Sequence, residues 1–169
     1  MPARARTADA GRDSTAAHAV SQRRVVVRSS AFADTLRGIT LAALRVMSAL
    51  ILLQHMTQRT FGVPLNPARP WTGAPDLFTR PWFTSVLELV GGTLLLLGLS
   101  TRPVAFVLSG LMAFAYFLAH ADESFWPIVN RGEPAVLLCF VFLYFAAAGA
   151  GPYSLDAMRR RRREAAGEP

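Results

Sequence analysis

The chain has 169 residues, 52% of them hydrophobic, with 18 basic against 11 acidic residues and a formal charge of +7, which is one domain's worth of strongly basic chain. Every basic residue is arginine, and the single cysteine, Cys139, excludes an intramolecular disulfide, a CxxC redox pair and a cysteine zinc cluster. The mean hydropathy of +0.31 averages two charged tails with a far more apolar middle. The arginines flank apolar runs instead of interleaving with aromatics, which points to a lipid bilayer and away from nucleic acid.

In chain order, residues 1–35 show no apolar period and no signal-type apolar run, and read as a disordered, basic cytoplasmic arm. The Arg23-Arg24 pair is followed only by Val25 to Val27 before Arg28, too short a run for twin-arginine export. Four apolar segments follow, at about 38–57, 82–99, 103–121 and 134–150, each near the ~20 residues that span a bilayer as helix. The third and fourth carry no charge, the first only Arg45 and the second only Glu88. A water-soluble bundle would show a polar stripe on every helix. The pattern predicts an all-α, polytopic protein, a bundle of four transmembrane helices over residues 36–156, followed by a disordered, arginine-rich cytoplasmic tail at 157–169.

Only Ser100-Thr101-Arg102 separates the second and third segments, which predicts a tight helical hairpin with Pro103 in the first turn. The first loop, 58–81, holds five prolines and reads as an ordered cap; Trp71, Trp82 and Trp126 all fall in or beside the first and third loops. With four spans, thirteen arginines lie on the side of the two termini and four on the other. The positive-inside rule then puts both termini in the cytoplasm of a bacterial inner-membrane protein.

Charged residues inside a span cost about 2.5–3.5 kcal/mol on insertion scales and so face protein, water or a counter-charge. At 100° per residue, Arg45, Ser48, Leu52, His55 and Arg59 share one stripe of the first span. Depths counted along the helices bring His55, Glu88, His120 and Glu133 into the outer half, and Arg45 lies deeper with a side chain long enough to extend toward Glu88. One reading is a brace, with Arg45 neutralising Glu88 and the histidines hydrogen-bonded across the bundle. A second is a cavity in which His55, Glu88, His120 and Glu133 exchange protons with a quinone, Arg45 keeps Glu88 ionised, and Tyr116, Trp126 and Asn130 contact the ligand. A third uses His55 and His120 as axial ligands of a b-type haem. No other metal site is expected, and Cys139 reads as a small buried hydrophobe.

At these residues the sequence resembles the DoxX family of small bacterial four-helix membrane proteins. The resemblance covers roughly residues 36–156 and runs through four motifs: His55 to Gly62, with Met56 where the family has glycine; Glu88 to Gly92 with Leu97 to Pro103; His120, Phe125 to Pro127 and Asn130 to Glu133; and Gly151 to Asp156. It implies links to quinone-dependent sulfur oxidation in some members and to membrane complexes managing thiol and oxidative stress in others. Without a CxxC, this chain is expected to be the membrane, quinone-facing subunit of such a complex. The alternatives are a non-catalytic scaffold that recruits soluble redox proteins, or a small-molecule transporter, which with four spans would have to be a homo-oligomer.

Overall fold

The computed structural model describes residues 6–67 and 70–167, with side chains from Ala31 onward. It is helical throughout, and no strand occurs among the described residues. The helices are α1 (Arg6–Phe61), α2 (Arg80–Leu97), α3 (Thr101–Ala119), α4 (Pro127–Asn130), α5 (Glu133–Ala148) and α6 (Leu155–Ala166). The chain divides after Ile39 into two units, and the second, from Thr40 onward, holds α2 to α6 and the residues discussed below.

Residues 6–35 of the arm and 157–166 of the tail, expected to lack regular structure, are helical. No proline occurs between Pro2 and Pro64, and alanine and arginine are good helix formers, so nothing in the sequence stops α1 before Phe61. At the other end Ser154 caps α6, its hydroxyl accepting from the Ala157 N–H at 3.1 Å, and the arginine run continues as helix to Ala166. Helices α2, α3 and α5 start and stop within a few residues of expectation, and α1 ends within four residues of it but begins far earlier. Pro81 and Pro134 stand at first-turn positions of α2 and α5, where a missing N–H costs nothing.

Among the described residues, two helical stretches are long and apolar enough to cross a membrane, Ala31–Phe61 and Thr101–Ala119. Helix α5 is equally apolar but has 16 residues, and the 18 residues of α2 include Arg80 and Glu88. α3 lies along α5 and beside α2, and α4 touches the start of α5. The core is narrow: Ala49 and Leu52 from α1, Leu95 from α2, Ala105, Leu108 and Met112 from α3, Leu138, Phe142 and Phe145 from α5. Around it, Phe106, Phe114, Leu137 and Phe140 point outward and are each well over half exposed. An apolar exterior of this extent fits a hydrocarbon solvent better than water. Close approach of α1 and α3 to α2 depends on Gly91 and Gly92, where a Cβ would fall 2.7 Å from Leu108 Cδ2 and 2.9 Å from Leu53 Cδ2.

Candidate functional site

Antiparallel α1 and α2 run in a register set by their contacts. Arg45 lies level with Gly98, Leu53 with Gly92, and Arg59 with Glu88 and Ser85. The 14 residues from Arg45 to Arg59 amount to about 21 Å of helix. That register corrects the expected Arg45–Glu88 pair, because Arg45 is too far down α1 and Arg59 takes its place. Arg59 Nη1 and Nη2 donate to Glu88 Oε2 and Oε1 at 3.1 and 3.4 Å, and Nη1 lies 3.5 Å from Ser85 Oγ. The Glu88 side chain is 3% exposed and that of Arg59 34%. The carboxylate is enclosed while its partner opens to the surface, and two-point pairing fixes the guanidinium plane.

Beyond this pair, the end of α1 and the 62–81 loop enclose an open groove of about 1250 Å³. His55, Gln58 and Arg59 line it from α1, and Trp71, Asp76 and a series of prolines line it from the loop. Trp71 closes back on the helix, its indole N–H donating to the Arg59 carbonyl at 3.2 Å. The loop thus has the ordered, capping character that its prolines predict. His55 is exposed on this groove.

The other predicted site residues are elsewhere. His120 ends α3, with Nδ1 3.0 Å from the Asn130 carbonyl and its ring stacked on Tyr116 at 6.4 Å between centroids. Since a carbonyl only accepts, Nδ1 carries the proton. Buried Asn130 donates to the Ser124 carbonyl and accepts from the Gly132 N–H at 2.8 Å, and the Tyr116 hydroxyl donates to the Phe125 carbonyl. Tyr116 and Asn130 thus pin the 124–132 turn and have few groups left for a ligand. Trp126 is exposed, edge-on to Phe125. Glu133 is exposed at the start of α5. Of His55, Glu88, His120 and Glu133, His55 lines the groove and Glu88 stands behind it through Arg59, while His120 and Glu133 are not among the residues that line it.

Arg45 stands 14 residues earlier on α1, beside the C-terminal end of α2. Its side chain, 3% exposed, donates through Nη1 to the Ala150 carbonyl and through Nη2 to the Tyr153 carbonyl at 2.8 Å. There α2 ends in a Schellman closure: Gly98 has φ 65, its N–H bonds to the Leu95 carbonyl, and the Leu99 N–H bonds to that of Leu94. The Asp156 N–H donates to the Gly98 carbonyl, and the Asp156 carboxylate accepts from the Ser100 and Thr101 N–H groups at 2.8 and 3.0 Å. Asp156 thereby caps α3 across 55 residues of sequence. Burial alone would raise its pKa, but the Thr101 and Ser100 N–H groups and nearby Arg159 outweigh burial and hold it below the usual carboxylate value.

Arg59 and Asp156 are the residues that sequence reasoning passed over. Arg59 stood on the same stripe as Arg45 and His55. Asp156 had only the weaker signal of a Ser-Leu-Asp helix start after Gly151-Pro152.

A family model described as DoxX matches residues 40–121. An uncharacterized protein of Haemophilus influenzae is 40% identical over 125 residues, which cover 71% of this chain and 90% of the relative. No solved structure matches the chain.

Proposed function

The chain belongs to the DoxX family, and on that footing we propose that it is the membrane subunit of a redox or oxidative-stress complex, with a quinone-type ring bound in the groove beside Arg59. With four spans, the thirteen-to-four division of arginines puts both termini on the cytoplasmic side, and the groove would then face outward.

The observation that carries the reading is that Arg59, paired with buried Glu88 behind it, lines an open groove together with Trp71 and several prolines. The lining is mixed: Trp71 and the prolines offer apolar surface, and His55, Gln58, Arg59 and Asp76 offer polar groups that would fix the orientation of a ring. The residues fit the ring in kind: Trp71 offers an aromatic face, and the Gln58 amide and the Arg59 guanidinium offer donors. Two Arg59 nitrogens are engaged with Glu88, and since a guanidinium has five N–H groups, others stay free for a carbonyl oxygen. Glu88 acts as a positioning residue that holds the Arg59 plane. His55, exposed on the groove, takes up or releases protons to the outside water. A quinone bound there would supply two-electron, two-proton chemistry.

Native mass spectrometry of gently solubilised protein, followed by titration with a short-chain quinone while tryptophan fluorescence is monitored, tests the reading. Saturable quenching that is lost in Trp71→Phe and weakened in Arg59→Leu is expected, and a flat titration refutes it. The scaffold alternative is favoured by Leu65, Leu77 and Phe78, which stand 87%, 69% and 75% exposed on the same loop. A soluble redox protein co-purifying without quinone binding would select it.

A further inference from the structure

The opposite end of the molecule holds a second cavity, of about 340 Å³, between the first turn of α3 and the α5–α6 connection. Arg102, Gly149, Gly151, Ser154, Asp156 and Arg160 are among its walls. Arg102 packs on Gly149, where a Cβ would sit 3.3 Å from Arg102 Nε. Among the described residues, no acceptor is within hydrogen-bond reach of the Arg102 guanidinium. Arg160 is one helical turn beyond Asp156, and its one acidic contact is Glu164 at 3.9 Å, with both side chains about two-thirds exposed. A pair of that kind contributes little.

Arg102 and Arg160 are both exposed residues of the cavity lining. Arg102 lies in the first turn of α3, where the positive end of the helix dipole repels a cation. Arg160 belongs to a run of five arginines. Asp156 directs both oxygens at the Ser100 and Thr101 N–H groups, so it compensates the helix end and leaves Arg102 without a partner. Two guanidinium forks from different helices facing one cavity match a tetrahedral oxyanion, whose oxygens can bridge them.

We propose that the cavity between Arg102 and Arg160 binds a phosphate group. The phosphate of an anionic phospholipid and free inorganic phosphate share this chemistry. The site is independent of the groove and of the redox reading; only the lipid source rests on the four-span reading, since the inner leaflet would then lie beside the arginine run.

Full-length protein in a neutral detergent is titrated with phosphatidylglycerol, read by native mass spectrometry, and with inorganic phosphate, read by phosphorus NMR line width. Saturable binding of the lipid is expected, weakened about tenfold by Arg102→Gln or by Arg160→Gln, the effect of losing one charge-assisted contact. Arg162→Gln, two residues along α6 and off the cavity, should leave it unchanged. Arg102→Lys keeps the charge but not the fork, and provides a folded variant with intermediate affinity. The same variant pattern with inorganic phosphate and not with lipid would make free phosphate the ligand. Equal weakening in all three glutamine variants, or no saturable binding of either probe, overturns the proposal.

Discussion

Two arginines of α1, 14 residues apart, are put to different use. Arg59, about a third exposed, meets a carboxylate and keeps donors free beside an open groove. Arg45, enclosed, meets no carboxylate within hydrogen-bond reach and donates to the carbonyls of Ala150 and Tyr153. A guanidinium shut away from water needs acceptors for its N–H groups more than it needs a point counter-charge, and a turn of backbone carbonyls provides them. Arg45 is a clasp that ties α1 to the α5–α6 connection, and Arg59 lines the groove proposed to hold a ring. Substitutions at the clasp should therefore act on stability and substitutions at the groove on ligand.

The largest effect is expected at the clasp. Gly98 has a left-handed φ of 65, and a Cβ there would lie 2.6 Å from Ser154 Cβ and 2.9 Å from Arg45 Cζ. Gly98→Val combines backbone strain with overpacking and should destabilise by about 3 kcal/mol or more. Gly110→Ala, where nothing lies within 4 Å, should be neutral or slightly stabilising. Thermal unfolding in detergent compares them, and equal midpoints would break the distinction between clasp and open helix surface.

Next come the ion-pair cycles. Arg59→Leu strands a buried carboxylate and should cost about 3 kcal/mol. Glu88→Leu frees an arginine that can turn to water and should cost less. The Arg59–Glu88 cycle should give a coupling of about 1–2 kcal/mol, whereas Arg45→Leu and Glu88→Leu should add to within about 0.5 kcal/mol. A strong Arg45–Glu88 coupling would contradict the observed register.

Asp156→Asn keeps the shape of the α3 cap but loses its charge, for about 1 kcal/mol. Because the folded Asp156 pKa lies below its ordinary value, its contribution is present above pH ~4 and is lost as pH falls through the folded value. Unfolding midpoints taken from pH 6 down to pH 3 should fall more steeply for wild type than for Asp156→Asn; parallel curves would remove the capping role. The smallest stability change, within about 0.5 kcal/mol, is expected for His55→Ala, an exposed position. The same variant should weaken ring-ligand binding at the groove and alter its pH dependence, and unchanged binding would take His55 out of the site.

The sequence by itself determined the helical class, the order of the apolar segments and a three-residue hairpin between the second and third, which turns at Gly98 to Ser100, two residues before the expected Ser100 to Arg102, because apolar run length and proline position are local properties. The stripe holding Arg45, His55 and Arg59 was legible too, since periodicity places residues on a face. Which member of that stripe meets Glu88 was not. A face says nothing of axial register between two helices, and here the register follows from Gly92 seating on Leu53 and from Gly98 enclosing Arg45. His120, Tyr116 and Asn130 carried the composition of a ligand site, but the 124–132 turn uses their polar groups on its own backbone. Asp156 illustrates the same limit from the other side. Its carboxylate caps a helix that begins 55 residues earlier, and only the packing of α6 against the hairpin brings the two together.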